Sequence, residues 1–447
     1  MLRAGFISLF ALCAVCSVQA QHTSDVADAR ILSFEEGTAP AVADRHCAIA
    51  VSDAHFKHFA HSLRWTWRKD GAQLTLPVAV DYLRENPDPT QTSISTFVFW
   101  VYAPQPLPGK LRFEFRKQGR TCCGFDYGLD FRGWHGAWVA FDRDMEGTPE
   151  EGMDEIVIRT CGVKRGELFL DHIIASSFQD SRQHTADTQA PFINRGTVNH
   201  WLQLLDWWRD RLDADTSVAP SAAELQGMER IGERFRELIL EGRKARPLAE
   251  LRDRFASYGI SRNDDGTLRG KSIFFVRYAE TYINLGHPDV KRQYAADGML
   301  LSDCNDLLLD LAVAHGAAKT PAEREQTERM YLDLTRHLLD QGFTAGSALG
   351  TLHHLGYSMR NFYLAPYLMR DALRREGMLS EVQQAMEWFS GLGEVKRLPA
   401  VKGMDIDAFN TSLTGRLAAL LILDDSPYKT AYLRRFSEWV DNGLQYA

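Results

Sequence analysis

From about Ile31 to Ser177 the chain alternates apolar and polar residues in short runs: "HSLRWTW", "SISTFVFWVYA", "LRFEF", "AWVAFD", "DEIVIRT" and "GELFLDHII". A period of two puts successive side chains on opposite faces of a strand, and these runs are rich in aromatic and β-branched residues. Gly, Pro and Asp separate them, with "PQPLPGK" after Tyr102 reading as a turn. Many short strands at this spacing predict an antiparallel β-sandwich or jelly roll. After about Asp187 the period becomes 3.6. "AAELQGMERIGERFRELILEGR", "KSIFFVRYAETYINL", "CNDLLLDLAVAHG", "EREQTERMYLDLTRHLLDQG", "FYLAPYLMRDALRREG", "EVQQAMEWFSGLG" and "DAFNTSLTGRLAALLIL" each gather apolar residues on one helical face. Gly342, Gly377 and Gly391 fall where helices should stop. Helices of similar length without a fixed repeat predict pairs wrapped around a centre rather than a regular solenoid. The polar bridge "SRQHTADTQAPFINRGT" marks the boundary, giving domains 21–187 and 188–447.

The chain has 447 residues, 45% hydrophobic and 25% charged, which suits two or three folded domains. Its first twenty residues, "MLRAGFISLFALCAVCSVQA", carry one Arg, an apolar run too short for a bilayer and a small-x-small end at Val18-Gln19-Ala20. Residues 1–20 therefore read as a signal peptide, and the mature chain is expected to be secreted or periplasmic. Val15 before Cys16 matches a lipoprotein cleavage site poorly, and no later segment has the composition of a membrane span. Losing Arg3 with the leader takes the net charge from −8 to −9. That sign argues against nucleic acid as a partner while leaving room for an acidic ligand in a local basic cleft. The mature cysteines, Cys47, Cys122, Cys123, Cys161 and Cys304, show no CxxC spacing, so zinc is unsupported and disulfide pairing is not readable.

Several clusters carry polar chemistry. "SFEEG" (Ser33 to Gly37) and "LFLDHI" (Leu168 to Ile173) sit at the two ends of the β half, where first and last strands of a sandwich meet. A carboxylate from each, with turn carbonyls, would suit Ca²⁺; solvated turn acids and a buried Asp171 satisfied by backbone donors fit the same residues. Trp134 and Trp138 in "RGWHGAWVAFDRDM" read either as packing or as a sugar platform, as do Trp201, Trp207 and Trp208 in "NHWLQLLDWWRD". "GTLHHLGYSMRNFY" places His353 and Tyr357 four apart and Tyr357 and Arg360 three apart, so these groups share helix faces with His354 beside them. Imidazole and phenol move protons and Arg holds carboxylate or sulfate, but a buried His pair bonding carbonyls fits as well. Asn410, before an apolar run, is a helix cap or an amide aimed into a cleft. HExxH, GxSxG and phosphate-loop patterns are absent.

Taken together, "SFEEGTAP", "HSLRWTW", "STFVFWVYA", "GWHGAWVAFDRDM", "GELFLDHI", "HTADTQAPFIN", "DQGFTAGSALGTLHHLGYSMRNFYLAPYLMRDAL" and "DIDAFNTSLTGRLAALLIL" resemble the chondroitin sulfate ABC lyases. The resemblance runs in order through nearly all of the mature chain. It implies a multidomain β + α protein: an N-terminal β-sandwich or jelly roll of galactose-binding-like type, then an incomplete (α/α) toroid. It implies β-elimination of chondroitin or dermatan sulfate, with a sulfated glycosaminoglycan as partner, no cofactor for the chemistry and a monomer at full length. It makes Glu35, ahead of Glu36, and Asp171 candidates for a structural cation such as Ca²⁺. His353, His354, Tyr357 and Arg360 become a wall of the glycan cleft, and Asn410 resembles the asparagine that neutralises the uronate carboxylate. Elimination needs that carboxylate stabilised, a Tyr or His to take the C5 proton and a donor for the leaving oxygen.

The chain departs from the family pattern in a way that bears on the chemistry, besides having the less aromatic Asn361-Phe362 after "GYS". The family's catalytic His and Tyr lie in an "RPDGT…H…Y" segment after the helix matching "AYLRRFSEWV", with Arg and Glu further on, and this sequence has no RPDG segment before Ala447. The expectation is a lyase portion without its proton-transfer residues. A non-catalytic glycan-binding protein, a fragment of a longer lyase and a lyase for another uronate glycan are the alternatives.

Overall fold

A computed structural model describes residues 31–83 apart from 33, 36, 38–40, 58 and 81, then 93–180, 219–274, 299–345, 361–391 apart from 363, and 417–422 apart from 419. The signal-peptide segment and the bridge between the domains lie outside these residues.

The β half contains β1 (Ile31–Leu32), β2 (Val42–Ala43), β3 (Cys47–Ser52), β4 (Ser62–Trp67), β5 (Gln73–Leu76) and β6 (Ser93–Ala103). It continues with β7 (Lys110–Lys117), β8 (Arg120–Gly128), β9 (Gly133–Ala140), the short helix α1 (Phe141–Asp144), β10 (Glu146–Gly147), β11 (Glu155–Cys161) and β12 (Gly166–Asp180). One sheet runs β3-β4-β12-β6-β9 with β1 on β12, and the other runs β10-β8-β7-β11-β5-β2. The two face each other as a jelly-roll sandwich. Alternation decides the faces: Leu63, Trp65 and Trp67 of β4 are buried while Arg64 is exposed. Phe97 and Phe99 from β6 meet Phe115 and Phe113 from β7 at 5.0 and 4.7 Å between ring centroids. Phe113 in turn stacks on Phe125 of β8 at 4.7 Å, so the space between the sheets is filled by aromatic rings. On the far side of the second sheet, Arg112 pairs with Asp126 and Glu146 at 3.3 and 2.9 Å, and Arg116 with Glu114 at 2.6 Å. That outer face neutralises itself.

The helical half opens with α2 (Ala222–Glu241), whose Ser221 and Glu224 form a reciprocal capping box. It continues with α3 (Leu248–Ala256), the two-residue strands β13 (Ser261–Arg262), β14 (Leu268–Arg269), β15 (Ile273–Phe274) and β16 (Met299–Leu300), then α4 (Leu301–Ala317). The helices α5 (Pro321–Asp340), α6 (Arg370–Arg375) and α7 (Leu379–Gly391) follow. Thr320 and Glu323 cap α5 reciprocally with Pro321 as its first residue. α4 is buried on nearly every side and packs chiefly on α5. The ring expected of a toroid passes through segments outside the described residues. One helix reading is corrected: "KSIFFVRYAETYINL" begins not as a helix but as β15, paired in parallel with β16. Ile273 and Phe274 suit an extended backbone, and the Met299 N–H donates to Ser272 O at 2.8 Å to close the pairing. Gly342 and Gly377 have φ of +98° and +68°, left-handed as helix stops require.

The halves meet where the end of α5 runs against the start of β9. Gly133 has φ of +81°, and a Cβ built there would lie 2.7 Å from Asp340 O; a Cβ on Gly342 would lie 2.4 Å from Trp134 O. Around this double approach the polar contacts are close: Arg132 Nη2 donates to Asp340 Oδ1 at 2.6 Å, and His135 Nε2 hydrogen-bonds with Thr344 Oγ1 at 2.8 Å. Lys57 Nζ donates to Gln341 O at 2.8 Å and to Gln341 Oε1 at 2.9 Å, 4.4 Å above the Trp100 ring. His55 stacks on Tyr102 at 3.8 Å and reaches Thr267 Oγ1 at 3.3 Å across the seam. Behind it His337 Nε2–H donates to Lys271 O at 2.8 Å.

Two outcomes are expected of the seam. Gly342→Ala combines a left-handed backbone with the collision on Trp134 O, so it should cost about 2–4 kcal/mol and lower the thermal midpoint measurably. A midpoint equal to that of the parent would contradict the packing described. Burial holds His55 and His337 down to about 4 and His135 down to about 3. The unfolded chain takes up these protons near pH 6.5, so the stability is whole above that value and is lost as pH falls towards 4. Asp340, raised by burial against the pull of Arg132, works in the opposite sense. Calorimetry should show the midpoint falling between pH 7 and pH 4.5, with the steepest loss below 6; a flat profile would exclude three buried neutral imidazoles.

Candidate functional site

His353, His354, Tyr357, Arg360 and Asn410 all lie outside the described residues. The chain on either side of the segment holding the first four is described. Before it, Asp340, Gln341 and Thr344 are the residues taken by Arg132, Lys57 and His135 of the sandwich. Phe343 between them is fully buried and meets Phe362 at 4.6 Å, edge to face, which brings the two ends of the segment side by side. After it, Asn361 accepts from Arg243 Nη2 at 3.0 Å and donates to Asp306 on α4.

Arg243 belongs to a cluster that sequence reasoning missed. It, Arg246 and Arg254 place guanidinium nitrogens 3.3, 2.9 and 2.6 Å from the carboxylate of Asp310, which is 7% exposed. Arg246 also pairs with Glu250 at 2.6 Å. Two signals were legible: the basic stretch "GRKARPLAELRDR" after α2, and Asp310 standing alone in the apolar run "LLLDLAV". A buried acid in such a run requires cationic partners. The cluster is balanced: its three guanidiniums meet Asp310 and Glu250, and Asp306 bonds Asn361, the residue that follows Arg360.

At the other predicted site, β1 does pair with β12 through Ile31 with Ile174 and Leu32 with Ile173, so first and last strands come together as the sequence implied. Asp171 is fully buried and accepts from the Lys57 and His172 N–H groups, both at 2.6 Å. Glu35 accepts from His61 N–H at 2.8 Å and Ala60 N–H at 3.2 Å, with His61 Nδ1 at 3.0 Å. Burial raises the Glu35 pKa, and the His61 contacts oppose the rise. The residues preceding Glu35 and following Asp171, Phe34 and His172, hold φ of +62° and +47°, left-handed values that turn the chain sharply at both positions. Each carboxylate thus serves N–H groups of a sharply bent backbone. Among the described residues no three His, Cys, Asp or Glu side chains stand together as a metal site. The described oxygens of Glu35 and Asp171 accept from amide N–H groups.

Trp134 is 1% exposed and packs on Tyr102 at 5.4 Å, so it is core rather than a sugar platform. Lys57 was not anticipated either. Its signal is a lone lysine among aromatic and histidine residues in "AHFKHFAH", and burial drives its pKa well below the usual lysine range despite Asp171 nearby. Among the described residues the five cysteines are free thiols, and burial pushes Cys123 up to about 12. Among the described residues no helix is long and apolar enough to cross a membrane.

Comparison with known proteins matches residues 28–192 to the family described as "Lyase, N terminal" and residues 215–447 to "Lyase, catalytic". A chondroitin sulfate ABC exolyase of Bacteroides thetaiotaomicron is 38% identical over 94% of this chain and 41% of its own length. A chondroitin sulfate ABC endolyase of Proteus vulgaris is 27% identical over 90% of this chain and 42% of its own. Among solved structures, the family 11 carbohydrate-binding module of Clostridium thermocellum aligns with 32% of this chain and 92% of its own at 11% identity and a TM-score of 0.24. The chain spans about two fifths of the length of the curated relatives it matches. The catalytic-domain match covers more than half of the sequence and comes after the N-terminal one in chain order, and the chain belongs to the chondroitin sulfate ABC lyase family of polysaccharide lyases.

Proposed function

We propose that this chain supplies the N-terminal jelly roll and the first part of the (α/α) toroid of an exported chondroitin or dermatan sulfate lyase. Its own share of the work is to hold the polyanionic substrate. The observation that carries this reading is the unbroken similarity, from sandwich through helices, to enzymes named for cleaving chondroitin sulfate. The reaction is β-elimination: the uronate carboxylate is stabilised, the C5 proton leaves to a base, and the bond to the glycosidic oxygen breaks as that oxygen is protonated. No cofactor is needed, and no water is consumed, unlike the two-carboxylate hydrolysis of glycosides.

The described residues support binding over proton transfer. His55, His135 and His337 are buried and held neutral, each committed to a partner within the protein, so none of them meets a glycan. Arg243, Arg246 and Arg254 cluster next to Asn361, where a cleft lined by Arg360 and the His353–His354 pair would continue. In this reading Arg360 takes a sulfate or carboxylate, His353, His354 and Tyr357 orient the sugar ring, and Asn410 faces the uronate carboxylate. The full protein acts as a secreted or periplasmic monomer.

Immobilised chondroitin sulfate should retain the purified chain, and retention should weaken steadily with added salt, as a Coulombic contact requires. A neutral glucan should not retain it. Arg360→Ala and Asn410→Ala should each weaken binding about tenfold, the loss of one charge-assisted or buried hydrogen-bonding group. Equal retention of wild type and both variants would make these residues structural, and failure of the wild-type chain to bind chondroitin sulfate at all would remove the reading.

A further inference from the structure

Three turns meet at one end of the sandwich: 44–46 between β2 and β3, 68–71 between β4 and β5, and 162–165 between β11 and β12. Strand pairing puts them at the opposite end of β3 and β4 from the loop that holds Lys57, since Cys47 pairs with Trp67 and Ser52 with Ser62. Hydrogen bonds tie the turns to one another. The Arg68 N–H donates to His46 O at 3.1 Å, the Val163 N–H to Asp70 Oδ1 at 3.1 Å, and the Trp67 indole N–H to Val163 O at 3.0 Å. Together they carry Arg45, Arg68, Lys69, Lys164 and Arg165, all exposed.

The two carboxylates of these turns face the backbone instead of the cations. Asp44 accepts from the His46 and Gln73 N–H groups at 2.7 and 2.9 Å, and Asp70 from the Gly71 N–H at 2.9 Å as well as from Val163. Farther along the strands, Glu167 and Asp126 are taken by Arg64 and Lys110. Arg45 Nε donates to His46 Nε2 at 3.1 Å, and among the described residues none of the five cations forms an ion pair. In a protein of net charge −8, this end of the jelly roll sets five cations against two acids. Because the turns touch, neighbouring charges lie within about one Debye length, ~10 Å at 0.1 M salt, and their fields add.

We infer that this end of the jelly roll is an anion-binding surface for a linear sulfated polysaccharide, engaging the part of a long substrate chain that lies beyond the cleft. The inference rests on the reading of this protein as the substrate-holding portion of a lyase. Chondroitin and dermatan sulfate repeat a carboxylate and a sulfate along their length, and guanidinium and ammonium groups spread over three turns meet such a repeat without needing a shaped pocket. Val163, the one apolar residue of the three turns, is buried, so these turns offer nothing to insert into a bilayer.

Lys69→Glu combined with Arg165→Glu reverses two exposed charges in different turns. Arg230→Glu combined with Lys319→Glu makes the same change of net charge at exposed residues of the helical half and serves as the control. Both double variants should keep the wild-type thermal midpoint. Titration calorimetry should show the first binding polymeric chondroitin sulfate about tenfold more weakly, with a shallower salt dependence, and a short size-defined oligosaccharide within about twofold of wild type. The control should stay within about twofold of wild type for both ligands. Equal polymer affinity in the two double variants overturns the inference, as does an equal loss for the short oligosaccharide, which would put these charges in the cleft. Sedimentation with phosphatidylglycerol vesicles that only the first variant abolishes, with its polymer affinity unchanged, also overturns it and makes the surface a membrane contact. Should the short oligosaccharide fail to bind wild type while polymer affinity responds as stated, the surface stands and the cleft reading falls; a wild-type chain that binds no polymer removes both.

Discussion

Everything joining the two halves depends on a place where their backbones come closer than a side chain permits. Gly133 and Gly342, both left-handed, lie on opposite sides of the contact, and each would drive a Cβ into the carbonyl of the facing segment. With these two positions open, the last turn of α5 settles onto β9, and the polar groups on either side come within hydrogen-bonding distance. Lys57 carries the energetic consequence. Its backbone N–H is fixed by Asp171 of the sandwich, while its ammonium finds Gln341 and Ile273 of the helical half. A buried ammonium without such acceptors costs several kcal/mol. The lysine therefore favours the one register in which both acceptors are in place, since a slipped seam would leave it buried without them.

The seam histidines extend the same logic by a different route. A charged group in this position would need a counter-ion; a neutral imidazole needs only a hydroxyl or a carbonyl, and Thr344, Thr267 and Lys271 provide these. The interface thus has the directionality of a polar network with little net charge of its own. On the opposite side of the sandwich, charge is abundant but cancelled strand by strand, with Arg112, Arg116 and Arg159 spread over Asp126, Glu114, Glu146 and Glu155. Neither the seam nor that outer sheet attracts a polyanion. The cluster of Arg243, Arg246 and Arg254 is balanced in the same way, by Asp310, Glu250 and the nearby Asp306, so these cations too are paired within the protein.

The range of the forces involved decides which features were legible in the sequence and which were hidden. Strand alternation is local, so "SISTFVFWVYA" was readable to the residue as β6, and the capped run ending in "HLLDQG" as α5. "KSIFFV" misled because its periodicity suits a helix while its partner in the parallel pairing, Met299–Leu300, is distant in the chain. The meeting of "SFEEG" with "LFLDHI" was legible from sandwich topology, and a buried Asp171 satisfied by backbone donors was one of the two readings, but which amides the two carboxylates would serve was not legible. Glu35 and Asp171 answer to amides of Ala60, His61, Lys57 and His172, and the bends that present those amides leave no mark on an apolar-polar pattern. Lys57, His135 and Gly342 were invisible as a group for the same reason: their meaning lies in contacts more than two hundred residues apart.

In the proposed reading this part of the chain holds the substrate, and holding has a physical requirement of its own. A group that takes a weakly acidic proton from C5 works only while the sugar is held still against it, so the holding surface has to be stiffer than the substrate it receives. Helix pairs alone give a curved wall whose connecting segments are its softest parts. At residues 340–344 an ion pair, a buried lysine, a glycine contact and an imidazole–hydroxyl bond tie the end of α5 to the sandwich, so this part of the helical half is fixed by the jelly roll as well as by its own helix.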